Sequence, residues 1–180
     1  METKEENKLD PRLHFVVATA IVARNREVSG GEQFMVSGVE PGRTIKTPEF
    51  LIAKRAPHEK AFPNKWTVPG GKLVHHEYSK LPFKTGYPQW YNVVDWVLRK
   101  EVKEEVGLEI EKPQYLCDLV FVRPDGYPVV TLSYWAKYKS GDVNLCRDLT
   151  EYAWVTLEQA KSYDMIEGIW DELKEVSELL

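Results

Sequence analysis

Residues 93–106 of this 180-residue chain read Val-Val-Asp-Trp-Val-Leu-Arg-Lys-Glu-Val-Lys-Glu-Glu-Val, a helix with its charges in awkward places. At about 100° per residue, Glu101, Glu104 and Glu105 fall on one arc, and Val102 and Val106 on an adjoining stripe that can face a core. Like charges at this spacing destabilise an isolated helix by about 0.2–0.5 kcal/mol per pair. Glu104 and Glu105 also occupy the last turn, where the helix dipole disfavours anions. The arc therefore calls for a cation. Lys100 and Lys103 supply one in the plain reading, a solvated charged face. In the functional reading a divalent metal supplies it, and carboxylate oxygens suit magnesium or manganese. Asn92 is the expected cap of this helix and Gly107 its expected stop.

Around it the chain alternates strand and helix signals. Strands are expected at Phe15–Ala23, Glu49–Arg55, Tyr115–Arg123, Val129–Tyr138 and Tyr152–Val155, with a short one at Phe34–Val36. Asp125-Gly126 marks a hairpin, Thr156 to Gln159 a capping box, and Met165–Leu180 a last helix. The order lacks strict βαβ alternation, which predicts α+β or a mixed-sheet α/β sandwich. Residues 1–12 are expected to be a flexible lead-in, and 13–180 a single domain.

Several functional classes are disfavoured at once. Lys plus Arg is 24 against 28 for Asp plus Glu, a net charge of −4, which speaks against a nucleic-acid binder. Cys117 and Cys146 are too few for a disulfide framework and show no zinc-ribbon spacing. The polar start lacks the apolar core of a signal peptide, and Phe15–Ala23 is strand-sized, so no membrane role and a cytoplasmic setting are expected. Neither Gly-x4-Gly-Lys-Ser/Thr nor Gly-x-Ser-x-Gly occurs.

A second segment changes the weight of the first. Trp66-Thr67-Val68-Pro69-Gly70-Gly71-Lys72 ends in a turn that needs glycine, and Gly71 to Glu77 reads Gly-x5-Glu. Joined to Lys100-Glu101-Val102-x-Glu104-Glu105-x-Gly107-Leu108, it resembles the Nudix box, Gly-x5-Glu-x7-Arg-Glu-U-x-Glu-Glu-x-Gly-U. Two departures stand out. Here 22 residues separate Glu77 from Lys100 against the family's 7, an insertion of 15, and lysine stands where the family has arginine. Arg and Lys are not equivalent where a planar fork braces carboxylates, so bracing is either weakened or shared with Arg99. Phe50 to Arg55 and Asp148 to Ala160 resemble the family's flanking strands and short helix, and the likeness covers roughly residues 13–165.

The resemblance implies an α/β fold, a Nudix-like α/β/α sandwich with a mixed β-sheet. It also implies a metal-dependent hydrolase that cleaves the diphosphate of a nucleoside diphosphate-X compound: a nucleoside triphosphate, ADP-ribose or nucleotide-sugar type. Magnesium or manganese would be held by Glu101, Glu104, Glu105 and the carbonyl of Gly70. The general base comes either from the box, at Glu104 or Glu105, or from a later loop, at Glu151. Glu77 lies near the metal shell or braces the loop, and Arg55 contacts phosphate or is simply exposed at a strand end. His75 and His76 read as loop residues. The aromatic-rich segment 78–91 either helps form the substrate pocket or is a dimer contact or packed patch. Homodimerisation is the family habit. The rival reading is a non-catalytic Nudix-like module that senses a nucleotide. Isopentenyl-diphosphate isomerase shares the fold, but needs a cysteine upstream of the box, and both cysteines here lie downstream.

Overall fold

The alternation of small and branched residues along the first strand decides which face each element covers. The computed structural model describes residues 13–29 and 44–180, so the expectations for 1–12 and for Phe34–Val36 lie outside the described residues. Strand β1 (Phe15–Ser29) turns Ala18, Ala20 and Val22 to one face of the sheet and Ile21 and Ala23 to the other, all of them buried. Both faces of a strand this apolar must be covered, which makes it central. It pairs in parallel with β7 (Pro128–Ser140) on one side. On the other side its first half meets β4 (Gly70–Lys72) and its second half β2 (Thr44–Arg55), both antiparallel.

The sheet is completed by β3 (Trp66–Thr67) and β8 (Leu149–Val155) on β2, and by β5 (Glu109–Ile110) and β6 (Gln114–Val122) on β7. Helix α2 (Val93–Val106) packs Val97, Leu98, Val102 and Val106 onto the face that carries Ala18 and Ala20. The opposite face receives α3 (Leu157–Ala160) and α4 (Ile169–Leu179), with Ile169, Leu173 and Val176 turned inward. Two layers of helix thus sandwich a mixed sheet, the expected α/β architecture.

Local signals held in most places and failed in three. Gly107 ends α2 with φ 78°, a left-handed conformation that glycine adopts freely, and Thr156 and Gln159 form the reciprocal capping box. Asn92, by contrast, makes no side-chain cap; it adopts φ 60° at the end of the insertion, and its carbonyl accepts from the Trp96 N–H. His75 and His76 are in a short helix, α1 (His75–Tyr78), not in loop. The last helix starts at Ile169 because Gly168, at φ 91°, breaks the chain direction before it.

Candidate active site

One cavity of about 590 Å³ runs along the sheet face that carries α4, between β1, β6, β7 and the loop after β2. Its floor is set by strand register. Thr19 and Ser133 are partners in the β1–β7 ladder and share a 2.9 Å hydrogen bond, and the Ser133 hydroxyl lies 2.6 Å from Glu172 of α4. Burial raises the Glu172 pKa above the ordinary carboxylate value against the Ser133 hydrogen bond.

Helix α2 lies over the other face, yet Glu101 and Glu105 line this cavity. Two glycines allow it. A Cβ on Gly70 would meet the Ala18 carbonyl oxygen at 2.5 Å and the Thr19 Cα at 2.8 Å, and a Cβ on Gly71 would fall inside the Glu101 carboxylate. The absent side chains leave a cradle that the carboxylates fill. Glu105 accepts a 2.9 Å hydrogen bond from the Gly70 N–H. Its pKa is pushed up to about 7, first by burial and then by the charge of Glu101, with the Gly70 N–H and Arg55 opposing.

Lys100 stands among the remaining carboxylates. Its Nζ lies 3.0 Å from Glu77, 3.0 Å from Glu101 and 3.4 Å from Glu104. Burial works against the ammonium, but hydrogen bonds to Glu101 and Glu77 and the charges of Glu101 and Glu104 outweigh it and raise its pKa. Arg99 takes no part in this bracing; it donates to Asp95 and to the Ile110 carbonyl. The arrangement fits a hard divalent cation: the donors are carboxylate oxygens, the glycine cradle keeps them together, and a positive group already sits between three of them. The glutamates differ, however. Glu104 is 62% exposed and does not line the cavity. Among the described residues, the groups whose ligand atoms all lie within 4.8 Å are His58, Glu59 and Asp148, not the three glutamates of α2. In that cluster His58 Nε2 and Asp148 pair at 2.9 Å.

Two further expected residues are placed differently from one another. Arg55 lines the cavity at the end of β2, but its guanidinium is held by Glu59 and the Ala61 carbonyl. Glu151 lies within β8 and not in a loop, opposite Lys54 in the ladder, and pairs with that lysine at 2.7 Å. It does not line the cavity, which lies over β1, β6 and β7 while β8 pairs only with β2. None of residues 78–91 lines the cavity either, so the insertion does not build that pocket. Glu172, Ser133, Phe15 and Arg123 do line it, and no sequence motif marked them; Lys72, directly after the glycine pair, was within reach of one.

No helix among the described residues is long and apolar enough to cross a membrane. The sequence matches no protein-family model and no curated protein. Solved structures do match. The MutT protein from Methanosarcina mazei Go1 aligns at TM-score 0.60 and 18% identity, over 92% of this chain and 94% of that one. The NUDIX domain of Shewanella oneidensis NrtR, in complex with ADP ribose, aligns at TM-score 0.63 and 13% identity, over 96% and 94%. A C. elegans Ap4A hydrolase aligns at TM-score 0.59 and 19% identity, over 92% and 96%. These likenesses span nearly the whole of each partner, and the chain is built on the fold of the Nudix/MutT hydrolases.

Proposed function

We propose that the protein is a divalent-metal-dependent hydrolase that cleaves the diphosphate linkage of a nucleoside diphosphate-X compound. The observation that carries this reading is the entry of Glu101 and Glu105 into a 590 Å³ cavity through a cradle that only glycine at 71 leaves open. A pair of half-buried carboxylates at one end of a partly apolar cavity suits a ligand with an anionic, metal-bridged part and an organic part. ADP ribose, held by the Shewanella domain, and the dinucleotide that names the C. elegans hydrolase are both of that kind.

Glu101, Glu104, Glu105 and the carbonyl of Gly70 would hold magnesium or manganese. When bound, the metal neutralises phosphate oxygens and lowers the pKa of a nearby water. The chain's own contribution is placement. The Gly70 N–H fixes one oxygen of Glu105, and Lys100 ties Glu77 and Glu101 together from behind. Glu105, which lines the cavity beside Glu101 and is held by the Gly70 N–H, is assigned as proton acceptor for the attacking water.

The test is a turnover panel of nucleoside triphosphates, ADP-ribose, nucleotide sugars and dinucleoside polyphosphates, with and without magnesium. Metal-dependent release of a nucleoside monophosphate is expected, and Glu105→Gln should lower kcat by about 10²-fold or more. Tight nucleotide binding with no turnover on any member would replace the enzyme by a sensor module.

A further inference from the structure

Arg55, Lys60, Lys72 and Arg123 line the cavity, and they are paired differently. Arg55 is neutralised by Glu59, next to the carboxylate end. Arg123 pairs with Asp125 through one nitrogen, Nη2. Lys72 makes no ion pair among the described residues; its Nζ lies 5.6 Å from the centre of the Phe15 ring. Arg123 is only 13% exposed, and its guanidinium carbon lies 6.0 Å from the same ring. A guanidinium has five N–H donors. Arg123 gives Nη2 to Asp125 at 2.7 Å, while its Nε is buried and, among the described residues, has no acceptor. A buried donor without a partner is rare in native proteins and asks for an explanation.

Strand register locates these groups relative to Glu101 and Glu105. Gly70, whose N–H holds Glu105, is opposite Thr19, and Lys72 is opposite Val17. Lys72 therefore lies on the same face of β4 as Gly70, about 7 Å further along. Phe15 lies four positions before Thr19 on β1, about 13 Å along that strand, with its ring 5.2 Å from Tyr127, whose carbonyl accepts from the Arg123 N–H. Both cations approach one aromatic ring, whose face favours positive charge.

We propose that Lys72, Arg123 and Phe15 form an anion subsite that takes a phosphoryl group beyond the bond that is cut. This rests on the hydrolase reading for the position of that bond. The substrate is then a nucleotide with an extended oligophosphate chain, not one whose X is an uncharged sugar. The chain lies along β4 and β1, from the Glu101 and Glu105 end to Arg123. Arg123 supplies the donors that Asp125 leaves unused, and Lys72 supplies charge at the midpoint.

The first measurement is calorimetric titration of the full chain with inorganic tripolyphosphate in EDTA. The wild type is expected to bind, Lys72→Gln and Arg123→Gln each to weaken binding about tenfold or more, and Arg123→Lys to recover part of it. Thermal unfolding checks that each variant is folded, and exposed Lys72 provides a variant that leaves packing untouched. The second measurement is steady-state kinetics with magnesium. Both Gln variants should raise KM for a nucleoside triphosphate about tenfold with kcat little changed, and leave KM for a neutral-sugar nucleotide as it was. No tripolyphosphate binding by the wild type, or equal binding by the variants, overturns the subsite. So does an equal rise in KM for both substrates. Binding that depends on Lys72 and Arg123 without turnover on any substrate would overturn the hydrolase reading and leave the subsite standing.

Discussion

Helix α2 turns Val97, Leu98, Val102 and Val106 fully inward, whereas the stretch just before it leaves every residue from 82 to 89 exposed. Both stretches lie between the glycine cradle and Gly107, and both are rich in groups able to bind something. Their aromatic and apolar residues are spaced differently. In α2 the apolar positions recur at helical intervals, so one face packs on the sheet and the charged arc is carried to a fixed place. In 78–91 the five aromatics share no period and are interrupted by Pro82, Gly86 and Pro88. Three of them close on one another instead: Trp90 lies 5.4 Å from Tyr78 and 6.1 Å from Phe83, and its Nε1 donates to the Leu81 carbonyl. Tyr87 and Tyr91 stay outside, 75% and 59% exposed. Chemical suitability counts only where packing fixes the direction of a side chain.

The sharpest way to break this contrast is at the cradle. Gly71→Ala drives a methyl group into the end of a flexible side chain, Glu101, while Gly70→Ala drives one into the backbone of β1. The first should therefore lower kcat by about 10²-fold, the cost of displacing a reacting group by about 1 Å, with little change in melting temperature. The second should destabilise the fold by about 1–3 kcal/mol. Kinetics beside thermal unfolding reads both; equal loss of stability in the two variants would refute the cradle.

A smaller effect is expected at Lys100, which balances the charged arc of α2. Lys100→Met leaves Glu77, Glu101 and Glu104 without their shared counter-charge. Stability in EDTA should fall by about 1–3 kcal/mol, and magnesium should restore part of the loss. Urea unfolding with and without magnesium measures this, and a variant as stable as the wild type in EDTA would show that the ammonium is not needed there.

The smallest effect belongs to the insertion. Because no residue of 78–91 lines the cavity, deleting 79–89 should change neither KM nor kcat by more than about twofold. A tenfold rise in KM, in a variant that still melts cooperatively, would mean that the segment reaches the ligand.

Much of the fold could be read in advance because its signals are local. The stripe of Val102 and Val106, the stop at Gly107, the turn at Asp125-Gly126 and the cap at Thr156 each depend on residues within a few positions. Of the candidate site, the contact of the glycine pair with Glu101 and Glu105 could be anticipated from adjoining motifs. The structure was not legible at Glu151, whose direction follows from its register against Lys54, or at Asn92, where a left-handed backbone replaces the expected side-chain cap. Nor did any motif connect Arg123 with Phe15, which are brought together by the β6–β7–β1 order.

Residue order alone determined that this chain would carry three carboxylates on one helical arc and a glycine pair able to let another group approach closely, since helix periodicity and glycine's missing Cβ are properties of short segments. That the pair is strand β4 and not a turn was decided by its pairing with β1. Which of those carboxylates enters the cavity, and which cations line it, was decided only by tertiary structure. Glu104 and Glu105 are adjacent in sequence, yet one is exposed and the other half-buried and bonded to the Gly70 N–H. That difference arises because α2 must bury Val102 and Val106 on the sheet, and the rotation this imposes turns one neighbour inward and the other out.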